Sequence, residues 1–111
     1  MTLQEQKHGA VTVLKVEGAL VGADADGFKA RVVELMSSSL GRCVVDASGI
    51  PLVDSRGLEA LVEANDEMAQ SGHVLRLCGV NETIRRVLEL TRLDARFEHF
   101  ADVNAAVRSF L

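Results

Sequence analysis

The chain has 111 residues, 48% of them hydrophobic and 25% charged, with a formal net charge of -4; this suits one small domain, residues 1–111, around a single core. The acidic balance and the scatter of Lys and Arg speak against the basic patch or stripe of a nucleic-acid binder. With no Trp, no Tyr and only four Phe, the chain also lacks the aromatic platform on which single-stranded bases stack.

The polar start, MTLQEQKHGA, resembles no secretory signal. No apolar stretch approaches the ~20 residues that cross a bilayer. A cytoplasmic protein without membrane insertion is expected, with room for an extra strand at the N-terminus. Residues 11–17, VTVLKVE, are rich in β-branched residues and predict a strand. GALVGADADG then breaks the pattern with three glycines, and a helical pattern starts at Asp26. Phe28, Val32, Leu35 and Met36 share one face of it, and Gly41 is a plausible stop.

RCVVDAS is a short continuous apolar run of the kind that suits a strand covered on both faces. GIPLVD leads to a second helix on which Leu58, Leu61, Val62, Asn65, Met68 and Ala69 recur at helical spacing. SGHVLRLCGV predicts a Gly stop and another buried strand. Asn81 is a good N-cap for a helix carrying Ile84, Val87, Leu88 and Thr91. ARFEHF is a short strand candidate, and Asp102 caps a last helix with Val103, Ala106, Val107 and Phe110 on one face. Strands alternating with helices imply an α/β domain with a mostly parallel sheet. Sites in such sheets lie beyond the carboxyl ends of the strands, where both GALVGADADG and the Asp54–Ser55 loop should open.

Cys43 and Cys78 each sit in an apolar run and are expected to be buried, reduced thiols. His8, His73 and His99 stand at no ligand spacing from a Cys, so no metal and no cofactor is expected. Attention falls on PLVDSRGLEALVEA, residues 51–64. Ser55 admits three readings: an N-cap for the helix that follows, a nucleophile, or a site of covalent modification. The nucleophile reading lacks the first glycine of a Gly-x-Ser-x-Gly elbow, since Val53 stands there, and lacks an evident base. His73 should lie at the opposite end of the sheet. Modification suits a helix start, because aligned backbone dipoles favour an added phosphate.

VVDASGIPLVDSRGLEALVEA resembles the central motif of STAS domains, the bacterial anti-sigma factor antagonists. Asp46, Ser48, Gly49, Ile50, Val53, Asp54, Ser55, Gly57 and Leu58 fall in register with it. GVNETIRRVLELTRLDARFEHFADVNAAV is similar to the family's closing helix, strand and helix, so the resemblance runs from about His8 onward. It implies a mixed sheet of four or five strands with about four helices, mainly on one side. It implies a protein that catalyses nothing and binds an anti-sigma factor that is also a serine kinase. That kinase phosphorylates Ser55, and a metal-dependent phosphatase of the PP2C type reverses it. Asp54, Arg56, Gly57 and Leu58, with the apolar Leu20, Val21 and Gly22, are the expected partner contacts. Two positions depart from the family: Arg56 replaces the usual Ser or Thr, and the loop at Gly18–Val21 lacks the family's acids. Both leave open an alternative, a non-enzymatic STAS interaction module serving as a signalling scaffold or as a partner of a lipid-transport ATPase. Arg56 itself is expected to point outward as an anchor for the partner.

Overall fold

The computed structural model describes residues 1–111. Two adjacent apolar strands form its centre, β2 (Val11–Glu17) and β3 (Cys43–Gly49), paired in parallel. β1 (Thr2–His8) pairs antiparallel with β2 at one edge. β4 (Arg76–Cys78) and β5 (Glu98–Phe100) continue the parallel set on the other side. The sheet order is β1-β2-β3-β4-β5. The four helices are α1 (Gly22–Ser38), α2 (Ser55–Ala69), α3 (Glu82–Leu90) and α4 (Val103–Arg108). This is the expected mixed five-stranded α/β fold.

Side chains alternate across the central strands, so each strand feeds two cores. Leu14, Val16, Val45, Ala47 and Leu77 meet Phe28, Val32, Ala60, Leu61, Met68 and Leu88 of α1, α2 and α3 on one face. Val11, Val13, Val44 and Cys78 meet Ala106 of α4 on the other. Three helices on one face and a short one on the opposite face fit the expectation of helices mainly on one side. Cys43 belongs to the first core and Cys78 to the second, and both thiols are free and buried. Burial pushes them up to about 11 and about 12 respectively, away from the thiolate.

Asn81 and Asp102 cap α3 and α4 as expected, accepting from the amides of Ile84 and Ala105 at 2.8 Å each. Two boundaries differ from the sequence reading. β4 covers only three residues, because the Leu75 amide is taken by the Asn65 side chain at 2.8 Å instead of by a strand. The same side chain donates to the Arg96 carbonyl at 3.0 Å, so one buried amide on α2 ties down the approaches to both β4 and β5. The second difference is α1, which begins at Gly22 and not at Asp26. Its N-cap position is Val21, which has no capping side chain; the missing acceptor comes from residue 54.

Two glycines test this packing with opposite signs. A Cβ on Gly57 would run into the carbonyl oxygen of Leu20. Gly57→Ala is therefore expected to destabilise by about 1–3 kcal/mol, the usual cost of overpacking. Gly27 lies within α1, and a methyl group added there would meet nothing within 4 Å. Gly27→Ala is expected to stabilise by about 0.5–1 kcal/mol through helix propensity. Urea titrations of both variants check the pair; equal effects would contradict the close approach at Gly57.

Candidate functional site

The loops that leave β2 and β3 meet at the carboxyl edge of the sheet. The Leu20 amide donates to the Leu52 carbonyl at 3.0 Å, the Asp54 amide donates to the Leu20 carbonyl at 3.4 Å, and Leu20 and Val53 form an isolated parallel bridge. This short extension of β-pairing brings the starts of α1 and α2 side by side. Asp54 then serves both. Its Oδ1 accepts from the Gly57 amide at 2.8 Å and its Oδ2 accepts from the Gly22 amide at 3.0 Å. One carboxylate thus caps two helices, each of which points its positive end at it. The Gly57 and Gly22 amides hold the Asp54 carboxyl below the usual range, the Gly57 bond contributing most.

Asp54 rather than Ser55 is the N-cap of α2. Ser55 is the first helical residue, exposed, and its hydroxyl engages no protein group by hydrogen bond. The capping reading of Ser55 is therefore set aside. No imidazole stands against it either. His73 lies over Gly41 at the opposite end of the sheet, and His99 bonds the Asp94 carbonyl near β5. What the position offers is an accessible hydroxyl on a rigid helix start, without a base to activate it.

Arg56 does not point outward. Its Nε bonds Asp26 Oδ1 at 3.0 Å, with Nη2 on the same oxygen, and its Nη1 lies 3.1 Å from Glu59 Oε2 and 3.0 Å from Glu63 Oε1. Hydrogen bonds to Asp26 and Glu63 raise its already high pKa further, so the charge is permanent. The expected anchor is occupied by the chain's own carboxylates. Lys29 of α1 adds to the cluster, 3.8 Å from Glu63 and 3.7 Å from Glu67. Glu59 and Glu63 stand three and seven residues after Arg56, on the same helix face, a spacing readable in the sequence. Asp26 comes from another helix and carries no such signal.

Two further expected contacts need correction. Leu20 is fully buried, its side chain in the main core, because the bridge to Val53 turns it inward. Gly57 is buried against the Leu20 carbonyl and serves packing, not a surface. Gly22 is exposed, while Val21 and Leu58 are half-buried at the rim. Leu58 and Val62 of α2, with Leu93, line a shallow apolar groove of about 230 Å³ whose edge is formed by Glu59 and Glu63. No three His, Cys, Asp or Glu side chains stand together as a metal ion would require. No helix is long and apolar enough to cross a membrane.

The family model of the STAS domain matches residues 2–106 of the chain. Among solved structures, the chain is similar to a candidate anti-sigma factor antagonist of Thermotoga maritima, with 23% identity, a TM-score of 0.86, and coverage of 96% of this chain and 92% of that one. It is similar to an anti-sigma factor antagonist (STAS) domain protein of Planctomyces limnophilus, with 20% identity, a TM-score of 0.82 and coverage of 96% of each. It is also similar to the Bacillus cell fate determinant SpoIIAA in its phosphorylated form, with 15% identity, a TM-score of 0.70 and coverage of 97% and 99%. At these identities the likeness is one of fold.

The double cap makes a pH prediction. Asp54 has a depressed folded pKa, so its contribution to stability is present above the ordinary value of about 3.9 and is lost as pH falls through the folded value. Asp54→Asn keeps one acceptor oxygen and faces the second amide with an NH₂ group. It should melt several degrees below the parent at pH 7, and the gap should close as acid protonates Asp54 in the parent. Melting curves between pH 7 and pH 2 check this; a gap that persists unchanged in acid would deny the carboxylate its role.

Proposed function

Because the chain belongs to the STAS domain family, we propose that it is an anti-sigma factor antagonist that works by partner switching, with residues 1–111 acting as a single STAS domain in the cytoplasm. Unmodified, it binds an anti-sigma factor that is also a serine kinase, and so releases the sigma factor. The kinase transfers the γ-phosphoryl group of ATP to Ser55 Oγ; ADP leaves, and the hydroxyl proton is lost. A metal-dependent phosphatase of the PP2C type hydrolyses the ester to inorganic phosphate. The chain itself performs no catalysis.

The observation that carries this reading is the free, exposed Ser55 hydroxyl directly behind a capping Asp54. A phosphate there adds about -1.5 to -2 charges. It does so at the positive end of a helix, where an anion is tolerated, and it displaces no bond that the fold uses. The fold-level neighbour SpoIIAA has a structure in phosphorylated form, which supports the idea that this architecture accommodates the modification. Asp54, the Gly22 it caps, and the half-buried Val21 and Leu58 supply the contact surface, together with the groove between Leu58 and Leu93.

Phosphopeptide mapping after reaction with the cognate kinase should place phosphate on Ser55. Phosphate found only on Ser37, Ser38, Ser39 or Ser48 would remove the proposal. Ser55→Asp should keep the parent melting temperature within a few degrees while weakening binding of the anti-sigma factor. A collapse of its melting temperature would show a structural purpose for the hydroxyl.

A further inference from the structure

Ser55 lies between two residues of opposite charge, and each ties α1 to α2. Asp54 does so through backbone amides, at Gly22 and Gly57. Arg56 does so through carboxylates, at Asp26 on α1 and at Glu59 and Glu63 on α2. Arg56 is the only cation within ion-pair distance of Asp26 and of Glu59, whereas Glu63 also has Lys29. Asp26 and Glu59 are well exposed, at 62% and 64%, so water and salt screen their pairs.

The geometry points to Arg56 as a latch between α1 and α2 that phosphorylation of Ser55 opens. The inference rests on the reading that Ser55 carries phosphate. A phosphoseryl group one residue away presents up to two charges and three acceptor oxygens to a guanidinium, whose planar fork suits phosphate. It competes with single carboxylates that are exposed and screened. Capture of Arg56 by the phosphate removes the side-chain tie from α2 to Asp26 and leaves Asp26 and Glu59 without a counter-ion. The net charge of the face changes by the phosphate alone, but its distribution moves. New negative potential arises on α1 and on the Glu59 edge of the groove lined by Leu58, Val62 and Leu93. The modification is then felt by a partner on α1 and at the groove as well as at Ser55. Arg56 thereby spreads the switch over a wider surface.

The test uses phosphoserine incorporated at position 55 during translation, so that no kinase is needed. Side-chain carboxyl ¹³C resonances of Asp26 and Glu59, and amide hydrogen exchange over residues 22–30, are measured with and without the phosphate. Phosphorylation should shift both carboxyl resonances and accelerate exchange in the first turns of α1 severalfold. Arg56→Gln without phosphate should reproduce the faster exchange, and adding phosphate to that variant should accelerate it little further. In Asp26→Ala, which removes the acceptor that Arg56 reaches on α1, phosphorylation should leave α1 exchange unchanged, because the tie is already absent. Carboxyl resonances and α1 exchange that ignore the phosphate in the parent chain would overturn the latch. Failure of the kinase to modify Ser55 would instead count against the functional reading, and the latch would still be decided by the translationally phosphorylated protein.

Discussion

The arrangement at the working end of this molecule depends on one carboxylate with two oxygens and two amides to fill them. Asp54 reaches Gly57 with one oxygen and Gly22 with the other. A Ser or Asn side chain offers a single acceptor atom, whereas a carboxylate offers two, one for each helix start, and the shorter acidic side chain fits an N-cap. The distance between the two helix starts is thereby set. With that spacing, the first turn of α2 lies directly on the Leu20 carbonyl, and position 57 has room for no side chain. The acid and the glycine three residues later answer to the same close approach.

The same constraint leaves Ser55 without a structural duty. A serine before a helix is ordinarily consumed by capping. Here the preceding acid takes that duty, so the serine moves one place into the helix and its hydroxyl is left facing solvent. The two adjacent residues divide the work: one holds the fold and the other is chemically available. A change at the second need not disturb the first, because no bond is shared between them. That separation is what a reversible covalent signal requires of its carrier, since the domain must stay folded in both forms to be recognised in either.

What is legible in the sequence follows from how local each signal is. The central strands are apolar runs of β-branched residues, and α3 and α4 begin at capping residues whose partners lie three positions on, at Ile84 and Ala105. All of that is contained in short windows. The start of α1 escapes such a reading because its cap is supplied from thirty-two residues downstream, and no window around Val21 contains it. Leu20 resembles a surface contact because an apolar residue after a strand has no local mark of burial; its bridge to Val53 is what turns it inward. The orientation of Arg56 is half legible. Glu59 and Glu63 follow it at helical spacing, whereas Asp26 is brought close only by the packing of α1 on α2. The burial of both cysteines is readable, and their separation onto opposite faces is a consequence of strand alternation.

Asp54 and Arg56 join the same two helices but respond differently to their surroundings. The Asp54 bonds run to backbone amides that cannot move without unwinding a helix, and neither amide bonds any other protein acceptor. The Arg56 pairs run to exposed carboxylates on flexible stems, where ions compete and water compensates. Raised ionic strength should therefore weaken the Arg56 pairs first while the helix starts remain fixed. A core of 20 buried residues lies beneath both, built from the helices and the sheet without help from either charge. Rearrangement of the outer pairs can then alter the face that a partner meets while the elements beneath it keep their positions. The labile interactions are those formed by side-chain charge, the permanent ones are those formed with the backbone, and the serine between them belongs to neither.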